Sequence, residues 1–60
     1  MTQQELIDLW ATVELTDEYF TWIRAELEKA GLNSRARFKD MSPQEREIHA
    51  GLLRQWKETQ

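Results

Sequence analysis

The sequence predicts an all-α fold, a small three-helix bundle in a single domain of residues 1–60. Three observations lead to this prediction. A hydroxyl side chain followed within three residues by a carboxylate marks a helix start at Thr2, Thr16 and Ser42. Apolar residues recur at helical spacing after each start, and no segment alternates as a β-strand would. We expect helices at about 3–14, 17–30 and 43–57, and a basic connecting loop at 32–41.

The first predicted helix begins with a capping box and has one apolar face. Thr2 supplies the N-cap hydroxyl, and Glu5 supplies the carboxylate three residues later. The helix should end near Glu14, because Thr16 begins the next one. Positions i, i+3, i+4 and i+7 are apolar and predict an inner face made of Leu6, Leu9, Trp10 and Val13.

The second predicted helix has a signal at each end. Asp17 and Glu18 follow the N-cap and place negative charge where a helix N-terminus favours it. Gly31 is the expected C′ residue, and Leu32 stands where a Schellman cap makes its apolar contact. The helical period of 100° per residue predicts an inner face made of Tyr19, Phe20, Ile23, Leu27 and Ala30.

The third predicted helix has the clearest start. Ser42 is an N-cap serine, Pro43 suits the first helical position, and Glu45 completes a capping box. Short connections favour antiparallel neighbours, so we expect helices one and two to form a hairpin that this helix closes, with Phe38 and Met41 filling one end. Its predicted inner face comprises Ile48, Leu52, Leu53 and Trp56.

Composition excludes several classes of protein. The chain has 60 residues, 24 of them apolar and 19 charged, and no cysteine. Its length allows one small domain, and its longest apolar run of three residues is far too short for a membrane span. Without thiols it has neither disulfides nor a cysteine zinc site. We therefore expect a cytoplasmic protein with no membrane partner and no cofactor.

The charges are distributed unevenly along the chain. Residues 1–28 hold seven acidic side chains and one basic one, a net −6, whereas residues 29–60 hold seven basic and four acidic ones, a net +3. One interpretation is that the two halves neutralise each other within the fold or within a dimer. Another is that the acidic half imitates the phosphates of a nucleic acid and so inhibits a nucleic-acid-handling enzyme.

Two features are candidate partner-binding elements. Trp22 lies roughly 110° from the centre of its helix's apolar face, so it either widens the core or contacts a partner. The basic segment in the connecting loop could suit a phosphate backbone with base stacking. The sequence pI of about 5.0 argues against that nucleic-acid interpretation. The residues of this segment are Arg35, Arg37, Phe38 and Lys39.

Two residues of the third helix bear on catalysis and self-association. His49 is the one histidine, and a histidine on an apolar stripe is more often a hydrogen-bonded core residue than a ligand. A metal site would need two or more further ligands, and the spacing positions only Glu45; no spacing supplies a nucleophile. We therefore predict no catalytic, cofactor-binding or metal-binding residue. Gly51 is either tolerated within its helix or allows close packing in a homodimer.

These observations favour a small non-enzymatic protein–protein interaction module that acts through an aromatic patch and a polarised charged surface. A chain this short that begins with methionine is typical of a regulator, inhibitor or accessory protein of a bacterium or bacteriophage. Its partner would be another protein or a second copy of itself, with no small-molecule substrate. The alternatives are a nucleic-acid-binding protein that uses Arg35–Lys39, and an acidic nucleic-acid mimic.

Overall fold

The computed structural model describes residues 1–59 and confirms the all-helical fold. The structure has three α-helices, α1 (Gln3–Trp10), α2 (Asp17–Lys29) and α3 (Pro43–Glu58). A short connection joins α1 to α2, and a longer one, which contains a 3₁₀ turn (Phe38–Asp40), joins α2 to α3. No strand occurs in the described residues. The Cα radius of gyration is 10.6 Å and the principal extents are 27 × 23 × 16 Å, which is consistent with a small three-helix bundle.

All three predicted helix starts are confirmed by their hydrogen bonds. At Thr2 and Ser42 the capping box is complete. Each hydroxyl accepts a hydrogen bond from the backbone amide of the glutamate three residues later, and the carboxylate of that glutamate accepts one from the amide of the N-cap residue. For α1 the two distances are 3.2 and 3.1 Å. The Thr16 hydroxyl accepts from the Tyr19 amide at 3.1 Å. These local bonds satisfy amides that would otherwise lack a partner within their helices.

The end of α2 is also as predicted. Gly31 has a φ of +79°, a conformation that a residue with a Cβ rarely adopts. The Leu32 amide donates to the Leu27 carbonyl at 2.9 Å, and the Gly31 amide donates to the Glu28 carbonyl at 3.0 Å. These two bonds are those of a Schellman motif, and they turn the chain away from the helix axis.

The first helix is shorter than predicted, ending at Trp10 instead of near Glu14. The Thr12 hydroxyl donates to the Leu9 carbonyl at 2.7 Å, and the amides of Thr12 and Val13 bond to carbonyls three residues back. A threonine hydroxyl that bonds to a backbone carbonyl in this way competes with continued helix. Val13 is nevertheless buried, so its predicted place in the core is confirmed outside the helix.

The central element is α3, and the predicted α1–α2 hairpin is wrong. The backbone of α3 approaches α1 most extensively, and it also approaches α2. The backbones of α1 and α2 pack against each other less closely than either packs against α3. The 3₁₀ turn also packs on α1. The core between these elements is formed by Leu6, Val13, Tyr19, Ile23, Leu27, Met41, Ala50 and Leu53.

Three residues assigned to inner faces lie outside the core. Phe20 is 39% exposed, Ile48 is 42% exposed, and Ala30 is also exposed. In α2 the buried stripe is narrow and follows every fourth residue from Tyr19, so Phe20 lies past its edge. In α3 the contact with two helices turns a different stripe inward, which contains the polar His49 and the small Ala50.

Candidate protein-binding surface

The aromatic side chains form two clusters along α3. The first, which we call the closed cluster, consists of Trp10, Phe38 and His49. The second, the open cluster, consists of Tyr19, Trp22 and Trp56, and Phe20 packs edge-on against its Tyr19 from the neighbouring position of α2. Because His49 and Trp56 are seven residues apart on α3, the two clusters are separated by about 10 Å along the helix axis.

In the closed cluster, Phe38 packs edge-on between two other rings. Its ring centroid lies 5.7 Å from that of Trp10 and 5.3 Å from that of His49, with interplanar angles of 81° and 79°. His49 is 5% exposed, and neither of its ring nitrogens has a hydrogen-bond partner among the described residues. Burial lowers the pKa of His49. The predicted burial of His49 is confirmed, but the hydrogen bond expected with it is absent from residues 1–59.

In the open cluster, Trp56 lies between a buried ring and a partly exposed one. Its centroid lies 5.6 Å from that of Tyr19 and 5.1 Å from that of Trp22. Tyr19 is fully buried, whereas Trp22 is half-buried. The position of Trp22 is thus intermediate between the two interpretations of the sequence: one side of its indole packs on the core and the rest faces outward.

The Tyr19 hydroxyl lies between the two clusters without a hydrogen bond. Burial raises the pKa of Tyr19 to about 12, and the nearby Trp10 indole opposes this effect only in part. The hydroxyl has no partner in hydrogen-bonding geometry within residues 1–59. A buried polar group without a partner lowers stability, so this hydroxyl is a cost to the folded state.

The outward side of the open cluster forms what we call the indole patch, made of Trp22, Trp56 and three carboxylates. Asp17 and Glu18 line a shallow depression around Trp22, together with Thr21 and Ala25. Trp56 and Glu14 line a groove of about 240 Å³ between the α1–α2 connection and the end of α3, and the cation Lys57 lines it as well. None of the three carboxylates, Glu14, Asp17 or Glu18, forms an ion pair with a described residue.

The basic segment follows an alternating pattern of exposure. Arg35, Arg37 and Lys39 are exposed, whereas Ala36 and Phe38 between them are half-buried. The Phe38 carbonyl accepts a hydrogen bond from Arg46 Nε at 3.2 Å, which fixes the segment against α3. The ring of Phe38 therefore serves the closed cluster, and the three cations alone face outward.

Direct contact neutralises little of the charge pattern, although both ion pairs join the acidic half to the basic half. Two ion pairs occur among residues 1–59: the Met1 ammonium with Glu47 at 3.0 Å, and Lys29 with Glu26 at 3.3 Å. No cation of the basic segment takes part in either. The cations of the basic segment and the carboxylates of the indole patch are therefore both free to meet charges on a partner.

The structure does not gather the five predicted binding residues into one site. Trp22 lies against Trp56 near the C-terminal end of α3, whereas the basic segment contacts Arg46 and His49 in its N-terminal half. Trp56 was assigned to the core by its spacing, and its place in the indole patch was missed. No spacing along one helix could have paired it with Trp22, because the two lie on different helices.

Other kinds of site find little support in the described residues. No group of three or more histidine, aspartate or glutamate side chains in residues 1–59 is placed to hold a metal ion. No described helix has both the length and the apolar character needed to cross a bilayer. Comparison with protein-family models, with curated protein sequences and with solved structures gives no match.

Proposed function

We propose that this protein is a non-enzymatic protein–protein interaction module that binds its partner at the indole patch. The observation that carries the proposal is the Trp22–Trp56 pair, which is anchored on the core yet open to solvent on its outer side. Tryptophan is enriched among the residues that contribute most to binding at interfaces. A ring held by the core loses little conformational freedom when a partner covers it.

The rim of the patch indicates the chemistry of the partner. Asp17 and Glu18 line the depression at Trp22, and Glu14 lines the groove at Trp56 together with Lys57. None of the three carboxylates forms an ion pair with residues 1–59. A partner segment with an apolar side chain flanked by lysine or arginine would cover the indoles and meet these carboxylates. Complementary charges at the rim chiefly speed association and select the partner. A regulator, inhibitor or accessory protein acts in this way, and we place that action in the cytoplasm.

The proposed function is non-enzymatic because the side chain of His49 is poorly placed to act as a general base. A general base has to reach the proton it removes, directly or through one water molecule. His49 is enclosed by the closed cluster, so its ring is not presented to a substrate.

Replacing Trp22 with alanine tests the proposal, and Phe20→Ala is the matched control. Both residues are partly exposed aromatic side chains of α2, but Phe20 does not line the patch. Proteins captured from the native host by the wild-type chain would be identified, purified and titrated against the three chains. We expect Trp22→Ala to weaken binding at least tenfold, the effect of losing an interface anchor worth about 1.4 kcal/mol or more.

Three outcomes decide whether the proposal holds. A purified partner that binds the wild-type and Phe20→Ala chains alike, and Trp22→Ala at least tenfold more weakly, supports the indole patch as the binding site. Equal binding by all three chains shows that the patch is not the site, and a failure of every purified candidate to bind the wild-type chain contradicts the proposed function itself.

A second candidate function is binding of a nucleic acid through Arg35, Arg37 and Lys39. It is favoured by the outward placement of these three cations and by their lack of ion pairs within residues 1–59. The inward position of Phe38 removes base stacking from this candidate. Its affinity for an oligonucleotide should fall steeply with salt, with a logarithmic slope of about −2 to −3 for three contacts. An affinity that is independent of salt, or absent, would exclude it.

A further inference from the structure

The outer face of α3 carries an uncharged strip that nothing in residues 1–59 covers. Gln44, Ile48, Gly51 and Gln55 follow one another at spacings of four, three and four, which is the spacing of a coiled-coil seam. All four residues are exposed, Ile48 by 42%. A Cβ built at Gly51 would have no neighbour within 4 Å, so packing within the chain does not require glycine there.

We propose that this strip, the α3 seam, is the interface between two copies of the chain, with their α3 helices antiparallel. In the antiparallel register, Ile48 of each copy lies over Gly51 of the other, and Gln44 lies opposite Gln55. The absence of a side chain at Gly51 then provides the space into which Ile48 fits. A two-fold axis relates the copies, so the same contact is made twice.

In this arrangement the charged side chains along one edge of the seam face side chains of opposite charge on the second copy. Glu47 and Arg54 are seven residues apart and occupy the same edge. In an antiparallel pair of helices like edges meet, so Glu47 faces Arg54 of the second copy, and the reverse contact is made as well. Arg54 forms no ion pair with the described residues of its own chain. Glu47 holds the Met1 ammonium through Oε1, which leaves Oε2 for Arg54.

A parallel arrangement offers no such complementarity. It would set Gly51 against Gly51 and Ile48 against Ile48, and it would bring the edge with Glu47 and Arg54 against the opposite edge, where Leu52 lies. The glycine gap would then stay unfilled, and Glu47 would not meet Arg54 of the second copy. The antiparallel register is the one that fills the gap and pairs the charges.

The dimer is expected to be weak and to leave the indole patch open. The seam spans about three turns of one helix. The area it buries is therefore well under the roughly 800 Å² per partner of a stable complex. A dissociation constant on the order of 100 μM is therefore reasonable. Trp56 lies about 110° around α3 from the seam, so each copy still presents its indole patch. The inference therefore stands apart from the proposed partner site.

Sedimentation equilibrium over a concentration range up to about 1 mM tests the dimer. The wild-type chain should approach twice its mass of 7.2 kDa. Ile48→Asp and Arg54→Glu should each weaken the dimer at least tenfold, because the first puts a charge over Gly51 and the second faces Glu47. Both residues are exposed, so circular dichroism should show unchanged helix content.

Two further variants distinguish this register from any other self-association. The double variant Glu47→Arg with Arg54→Glu exchanges the charges and should restore the wild-type dissociation constant within threefold. Gly51→Ala should raise the melting temperature, since alanine favours helix and meets nothing in the chain, while weakening the dimer at least threefold. A wild-type monomer throughout the range overturns the proposal. A dimer that Trp22→Ala weakens and Ile48→Asp does not also overturns it.

Discussion

The closed and open aromatic clusters contain similar residues yet differ in what they leave at the surface. Each places three rings against α3 with centroids between 5.1 and 5.7 Å apart. In the closed cluster the deepest ring is an imidazole without hydrogen bonds, covered by Phe38. In the open cluster the deepest ring is Tyr19. Each cluster has one buried and two half-buried rings, but Phe38 packs between two rings, whereas Trp22 packs on one described ring, that of Trp56. Phe38 thus covers a buried ring of its own chain, whereas Trp22 and Trp56 line surface depressions that a partner can enter.

Phe38→Ala should give the largest effect, because it removes the cover of the closed cluster. We expect the free energy of unfolding to fall by about 2–3 kcal/mol, somewhat less than for a fully buried phenylalanine. Chemical denaturation followed by circular dichroism measures the change. Lys39→Ala is the control in the same segment and should change stability by less than about 0.5 kcal/mol. A similarly small effect of Phe38→Ala would show that the cluster is not closed in solution.

His49 should make the closed cluster sensitive to acid. Burial lowers its pKa in the folded state, so the unfolded chain binds a proton more readily. Stability should therefore fall as the pH drops below about 6.5, the ordinary histidine pKa, until the folded state also takes up the proton. Melting temperatures between pH 7 and 5 measure this fall. In His49→Met the fall should be smaller, and an identical pH profile would contradict the enclosed imidazole.

Tyr19→Phe should stabilise the protein by about 1 kcal/mol, because it removes a buried hydroxyl that has no partner. The pKa of Tyr19 is raised to about 12, so the unfolded chain loses this proton first. Wild-type stability should therefore fall as the pH rises from about 10 to about 12, and Tyr19→Phe should lack that fall. Denaturation at pH 7 and pH 11 measures both effects. A destabilised Tyr19→Phe would show that the hydroxyl has a partner in solution.

Trp22→Ala should have the smallest effect on folding, about 1 kcal/mol, since Trp22 packs on one described ring at the outer end of its cluster, whereas Phe38 packs between two. Thermal unfolding of the variant measures this change, with Phe20→Ala as the matched control. A loss as large as that expected for Phe38→Ala would place Trp22 in the core, and the contrast between the two clusters would disappear.

The helix boundaries show which parts of the fold can be predicted from the sequence. The capping boxes at Thr2 and Ser42 and the Schellman glycine at Gly31 were predictable, because each is made by residues within five positions of one another. The end of α1 was not, since the Thr12 hydroxyl competes with the helix only in this conformation. The same limit applies to Phe20, whose exposure depends on where α3 lies.

The candidate site likewise has some features that the sequence predicts and others that it does not. The exposure of Arg35, Arg37 and Lys39 agrees with the alternation of their segment, so their type and spacing were informative. The pairing of Trp22 with Trp56 could not be predicted, because it joins residues 34 positions apart on two helices. Helical period indicates which way a side chain points from its own axis, but not which element it meets there.

By itself, the sequence determined that this protein is helical, where its helices begin, and that its two halves carry opposite net charge. Those properties follow from hydrogen bonds and periodicities within a few residues. The tertiary structure alone decided that α3 is the central helix, that His49 is enclosed, and that two indoles on different helices share an open surface. These outcomes depend on how three short helices divide a small core, since each apolar face is wider than the area its neighbours can cover.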